Sequence, residues 1–171
     1  MTEPVSPALL AIVNASILDP ALALLPARID DERARVQMLA IGLQESRLTA
    51  RRQMPTGPAR GLWQFERGGA TLGVINHPAS RALAQQLCEA RSVRFNATDV
   101  WARFEHDDIL AAGFARLLLW TDPRPLPRVE RAQAGWTYYM RNWRPGKPHP
   151  ETWDGFHRAA REFIAAQTVK A

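Results

Sequence analysis

Only one cysteine, Cys88, occurs among the 171 residues. That excludes an internal disulfide and a thiolate metal cage. Leu83 and Leu87 accompany Cys88 at helical spacing, so it reads as a buried structural thiol. No uninterrupted apolar run is long enough to span a bilayer, so stable membrane insertion is not expected. The apolar segment Ala8 to Leu25 is broken by Asp19-Pro20 and preceded by Glu3 rather than by a basic region, so no signal peptide is expected. Strand signals are scarce, and neither a repeat nor a linker is visible. A basic block of the nucleic-acid type is also missing, although the net charge is +5. The positive residues are scattered: Arg51-Arg52, then Arg124, Arg128, Arg131, Arg141 and Arg144. Excess positive charge of this kind favours an anionic partner, such as an acidic cell wall, without specifying nucleic acid. His77, His149 and His157 have no pairing that suggests a triad, and the His-Glu-x-x-His zinc motif is absent. Glu105-His106-Asp107-Asp108 reads as the acidic start of a helix rather than a metal site. No metal and no cofactor are expected.

What the chain does have is apolar helix. Hydrophobic residues make up 46%, enough for a real core, and thirteen prolines punctuate it. Ser6-Pro7 predicts a first helix, ended by Asp19-Pro20. Asp30 or Asp31 can cap a central helix running to about Arg47. Thr49 to Arg60 reads as a loop with at most a small hairpin. Further helices are predicted around Leu83–Ala90, after Asn96, over Leu110–Leu118, from Pro127 to Trp143, and from Pro150 to about Gln167. The fold class is therefore mainly α: one domain over 1–171, with an N-terminal helical addition (1–29), a core (30–146) and a C-terminal helix (147–171). At this size a monomer is expected.

The central helix carries the chemically suggestive feature. Val36, Leu39, Ala40 and Leu43 define one buried face, and Ala34, Met38 and Ile41 a second. Glu45 continues that second stripe, within about 20° of its line at 100° per residue. A carboxylate on an apolar stripe loses hydration, which raises its pKa, and the negative end of the helix dipole acts the same way. A carboxyl still protonated near neutrality can donate to a leaving oxygen. The alternative is an ordinary glutamate in a fraying last turn.

Glu45-Ser46 at a helix end, followed by Gly61-Leu62-Trp63-Gln64, resembles the lysozyme-like lytic transglycosylases of the soluble-lytic-transglycosylase type. In that family a helix ends in Glu-Ser and a Gly-Leu-Met-Gln segment follows. Here Trp63 replaces the methionine. Ala112-Gly113-Phe114 resembles a later Ala-Gly helix of the family. The family's Ala-Tyr-Asn-Ala-Gly segment is replaced by Ala134-Gly135-Trp136-Thr137-Tyr138-Tyr139, which leaves open whether Trp136, Tyr138 or Tyr139 takes the place of its tyrosine. The resemblance covers Arg33 to Gly146.

The resemblance implies a lysozyme-like fold with at most a very small β element near the active-site loop. It also implies cleavage of the β-1,4 bond between N-acetylmuramic acid and N-acetylglucosamine, with Glu45 as the one catalytic acid and base and a 1,6-anhydro product. Ser46 and Gln64 would then orient Glu45 or the sugar, or else serve only as a helix cap and a polar turn. Gly61 belongs to the same cleft segment. Trp63, Tyr138, Tyr139 and Trp143 offer flat faces for a pyranose, or pack in the core. The helical stripe favours core for Trp136 and Trp143, whereas Tyr138, on the opposite helix face, is freer to reach a ligand. The implied partner is the peptidoglycan glycan strand, not nucleic acid. The size and the lack of a signal peptide fit a phage or prophage lysin, made in the host cytoplasm and reaching the wall through a holin or in a virion. Two alternatives stay open: a hydrolytic muramidase with Glu66 as second carboxylate, and a non-catalytic virion or wall-binding module.

Overall fold

The computed structural model describes residues 4–170; Glu3, used above in the signal-peptide reading, lies outside them. The chain is mainly helical, and among the described residues there is no strand. Helix α1 (Pro7–Val13) starts as expected, with Ser6 accepting from the Leu9 amide. Asp19-Pro20 does not end it. A π-helical turn over Asn14–Leu18 carries the chain directly into α2 (Asp19–Ala23). The wider i→i+5 bonding just ahead of Pro20 accommodates a ring that would clash in a regular helix and a residue that has no N–H.

The central helix is α3 (Glu32–Ser46), capped by Asp31, whose carboxylate accepts from the Ala34 amide at 2.8 Å. Every residue from Val36 to Leu43 is buried, so α3 is the axle of the molecule rather than an amphipathic surface helix. It is followed by α4 (Leu72–Asn76), α5 (Arg81–Ala90), α6 (Ala97–Arg103), α7 (Asp108–Thr121), α8 (Ala132–Trp143) and α9 (Pro150–Lys170). Helices α6 and α7 are capped by side chains: Asn96 accepts from the Asp99 amide, and Asp107 accepts from the Leu110 amide, each at 2.9 Å. Helix α8 begins at Ala132 rather than at Pro127 as expected. The expected small hairpin reduces to two isolated antiparallel bridges, Arg52 with Arg60 and Arg60 with Phe65.

Helices α7 and α9 pack against α3, and α8 lies against α9. One continuous apolar core takes in α1, α2 and the rest of the helices, with Leu10, Leu22, Leu39 and Leu117 among its members. Cys88 is fully buried in it, and burial pushes its thiol up to about 12, which makes it inert. The acidic run before α7 binds arginines. Arg51 pairs with Asp108, Arg91 with Asp107, and both Arg52 and Arg60 with Glu105. The pairs of Arg51, Arg52 and Arg60 clamp the loop after α3 onto the α6–α7 junction, and that of Arg91 ties the end of α5 to it. No helix among the described residues is long and apolar enough to cross a membrane.

Candidate active site

Helix α3 ends abruptly. Its cap residue Arg47 is left-handed (φ 59°), and so is Leu48 (φ 56°). Two successive non-glycine residues there are costly, and such strain persists only where surrounding structure enforces it. The enforcement is visible. Leu48 is buried against Gly42, where a Cβ would collide with its side chain. Ser46 Oγ accepts from the Leu48 amide (3.1 Å) and donates to the Leu62 carbonyl (2.6 Å). Ser46 is therefore the tie between the helix end and the Gly61–Gln64 segment. This gives the spacing of the two motifs a structural reason.

The segment itself is a tight turn. Gly61 has φ 77°, and a Cβ there would meet Phe104 Cβ at 3.0 Å and its carbonyl oxygen at 3.1 Å. Gly61 is buried and serves the turn rather than a sugar. Gln64 is also left-handed (φ 51°), and its amide donates to the Gly61 carbonyl at 2.9 Å. It stays partly exposed, so it can both close the turn and face a ligand. Trp63 presents no face to solvent. It is 1% exposed, and its indole N–H donates to the Met38 carbonyl inside α3. As a sugar platform it is corrected to a core residue: the turn aims it inward, where Gly42 leaves room.

Above this base sits Glu45, half-buried on the last turn of α3. Tyr139 Oη donates to Glu45 Oε1 at 2.6 Å. Burial pushes the Glu45 carboxyl up to about 7 against the restraining effect of that bond. The Tyr139 hydroxyl is held well above the ordinary tyrosine range by burial and by Glu45 itself, so it remains a donor. Tyr139 is locked from behind by Trp153 of α9, whose ring stacks on it at 5.4 Å and 9°. Trp136 and Trp143 flank it at 5.3 and 6.3 Å. Trp143 is partly exposed, and its indole N–H donates to the Trp63 carbonyl at 2.9 Å. Trp136 is likewise partly exposed and touches Trp153 as well as Tyr139. Helix α8 comes this close because residue 135 is glycine. A Cβ there would meet Gln37 Oε1 at 3.0 Å and His157 at 3.2 Å. The buried Gln37 amide then donates to the Gly135 carbonyl at 2.8 Å, locking α8 to α3.

Tyr138 was expected to be free for a ligand. It is 3% exposed instead, and its hydroxyl donates to the Leu119 and Arg124 carbonyls. The end of α7 and the segment after it cover that face of α8. Of the three aromatics left open by the sequence, Tyr139 is the one bonded to Glu45. Two contributors went unnoticed in the sequence. Trp153 gave only an inward helical position as a signal, and Gln44 gave none. The Gln44 amide N–H donates to the His149 carbonyl and its carbonyl accepts from Thr152 Oγ, both at 3.0 Å, which fastens the α8–α9 loop and the start of α9 to the residue next to Glu45.

Glu66 is exposed and precedes the π turn Arg67–Thr71. The influences on the Glu45 carboxyl are burial, which raises it, and the bond from Tyr139, which lowers it. A surface cavity of about 380 Å³ is lined by Ser92, Arg94, Asp99, Arg103 and His106, and another of about 250 Å³ lies between Val5 and α9. Neither is lined by Glu45, so chemistry rather than concavity marks the site. Among the described residues no group of three or more metal-ligating side chains occurs. No family model, no curated protein and no solved structure matches this chain.

Proposed function

We propose that this chain is a peptidoglycan-cleaving lytic transglycosylase of lysozyme-like architecture, with Glu45 as its single catalytic acid and base. The observation that carries this reading is the Glu45 carboxyl itself. It is raised to about 7 and held through one oxygen by Tyr139, whose ring is flanked by Trp136 and Trp143. A carboxyl poised near 7 serves as acid and as base at neutral pH with little cost in either direction.

In the first half of the reaction, the proton on Glu45 Oε2 passes to the glycosidic oxygen as the bond from that oxygen to the muramic anomeric carbon breaks. The carboxylate then accepts the proton of the muramic 6-hydroxyl as that oxygen bonds to the anomeric carbon. The product is a 1,6-anhydro ring and no water is consumed. The substrate's N-acetyl group can support the positive charge at the anomeric carbon between the two halves. Tyr139 keeps Oε1 occupied, so the proton is directed to Oε2. Trp136 and Trp143 supply apolar faces beside the reacting bond. A phage or prophage lysin reaching the wall after host release or from the virion belongs to the same reading.

The muramidase alternative needs a second carboxylate to activate water or to attack. The exposure of Glu66 favours the one-acid mechanism. Zymography with purified protein in a peptidoglycan gel, followed by mass spectrometry of the digest, tests the proposal. Clearing with muropeptides lighter by one water is the expected result. No clearing at any pH from 5 to 8 overturns it, and reducing muramic ends replace it with the hydrolase.

A further inference from the structure

The loop between α8 and α9, Arg144 to His149, is pinned at both ends to the surroundings of Glu45. On one side Trp143 packs against Tyr139 and bonds the Trp63 carbonyl. On the other, the Gln44 amide holds the His149 carbonyl, and Gln44 adjoins Glu45 in α3. Pro145 and Pro148 stiffen the span between the anchors. A six-residue loop tied at these two points must run past the carboxylate end of α3. It carries two exposed cations, Arg144 and Lys147, and neither forms an ion pair among the described residues. The third basic residue, His149, already faces Glu151 at 3.1 Å. Asp122, which caps the end of α7, is taken by Arg141 of α8 at 2.7 Å. Arg144 is moreover left-handed (φ 50°), where asparagine or glycine would cost less. Its guanidinium Nε also donates to the Arg141 carbonyl at 3.3 Å, which caps α8 and leaves the charge unpaired by any carboxylate among the described residues.

We infer that Arg144 and Lys147 form a cationic rim that recognises carboxylates of the stem peptides on the glycan strand, so that the preferred substrate is peptide-bearing rather than naked glycan. The inference rests on the wall-cleaving reading above. Guanidinium and ammonium groups on a stiff loop suit carboxylates projecting from a strand whose sugars lie on the aromatic faces. A strand stripped of its stem peptides keeps only the lactyl carboxylate of each muramic residue, and an N-acetylglucosamine oligomer offers these cations no charge at all.

The test uses the double variant Arg144→Asn/Lys147→Gln, which keeps a residue tolerant of the left-handed conformation at position 144 and removes both charges. Turnover is measured on soluble glycan strands bearing stem peptides, and binding is measured on an uncharged N-acetylglucosamine tetramer. Two exposed charge contacts correspond to a KM raised roughly 5- to 10-fold on peptide-bearing strands, with kcat within about twofold. The difference from wild type should shrink at high salt, and tetramer binding should not change. A KM equal to wild type, or an equal loss on the tetramer, overturns the inference while leaving the enzymatic reading intact. A wild-type protein that cuts no peptidoglycan overturns both.

Discussion

The hydroxyl of Tyr139 donates to one oxygen of Glu45 at 2.6 Å across 94 residues of chain. Glu45 lies in the last turn of the buried central helix, and Tyr139 is clamped between that carboxylate and the Trp153 ring. Neither side chain can move without breaking a stack or leaving a polar group without its partner. The pair defines what the site can do and what should happen when it is altered.

The first expectation is a stability signature. The folded Glu45 carboxyl titrates at about 7 instead of the ordinary 4.5. Because folding raises this pKa, the native state binds the proton more tightly than the unfolded chain. Its favourable contribution is therefore complete below about pH 4.5 and is lost as pH rises through 7. The gap corresponds to at most about 3 kcal/mol. Glu45→Gln should melt with the wild type at pH 4 and above it at pH 8, with lysis reduced by about 10² or more. Parallel melting curves for the two proteins across that range would count against a desolvated carboxyl.

Activity should show the same group. A general acid must be protonated, so kcat/KM is expected to fall as pH rises through about 7. Tyr139→Phe removes the bond that restrains the carboxyl, so this limb should move to higher pH. The phenyl ring keeps its stack on Trp153, and the loss in the plateau rate should be near tenfold, or about 1.4 kcal/mol. A pH profile identical to wild type would show that the hydroxyl does not act on Glu45.

Trp63 and Gln64 should respond in opposite ways. Truncating the buried Trp63 to alanine should cost about 3–5 kcal/mol of stability, with loss of the indole bond to the Met38 carbonyl. Gln64→Gly relieves a left-handed side-chain residue while deleting the exposed amide, and should stay within about 1 kcal/mol of wild type. If that amide faces the sugar, the glycine variant should melt normally and turn over slowly. A fully active Gln64→Gly protein would reduce Gln64 to a turn-closing residue.

Glu66→Gln separates one-acid from two-acid chemistry. The attacking hydroxyl in transglycosylation belongs to the substrate and is already beside the anomeric carbon. The variant should keep at least a tenth of wild-type activity, a barrier change of no more than about 1.4 kcal/mol. An inactive Glu66→Gln enzyme, together with reducing ends in the wild-type digest, would establish a muramidase.

Much of this protein is written locally. Ser6, Asp31, Asn96 and Asp107 cap helices where short-range rules place them, because a cap needs only its own side chain and an amide three residues on. The apolar stripes of α3 give its burial and the position of Glu45, since both depend on the 3.6-residue period alone. Local signals mislead where a neighbour relieves a local conflict. Pro20 looks like a helix stop, but the π turn over Asn14–Leu18 absorbs it. The aromatic partner of Glu45 could not be read in this way. Tyr138 and Tyr139 are adjacent in sequence and differ by about 100° in direction. Which one meets Glu45 depends on how α8 is rotated against α3. That rotation is set by the close approach at Gly135 to Gln37 and His157, and by the end of α7 closing over Tyr138. Trp63 follows the same logic: its motif position puts it beside the site, and the left-handed turn at Gln64 with the space at Gly42 turns it into the core. Period and caps are properties of a few consecutive residues, whereas the choice among neighbouring aromatics is made by contacts between helices far apart in the chain.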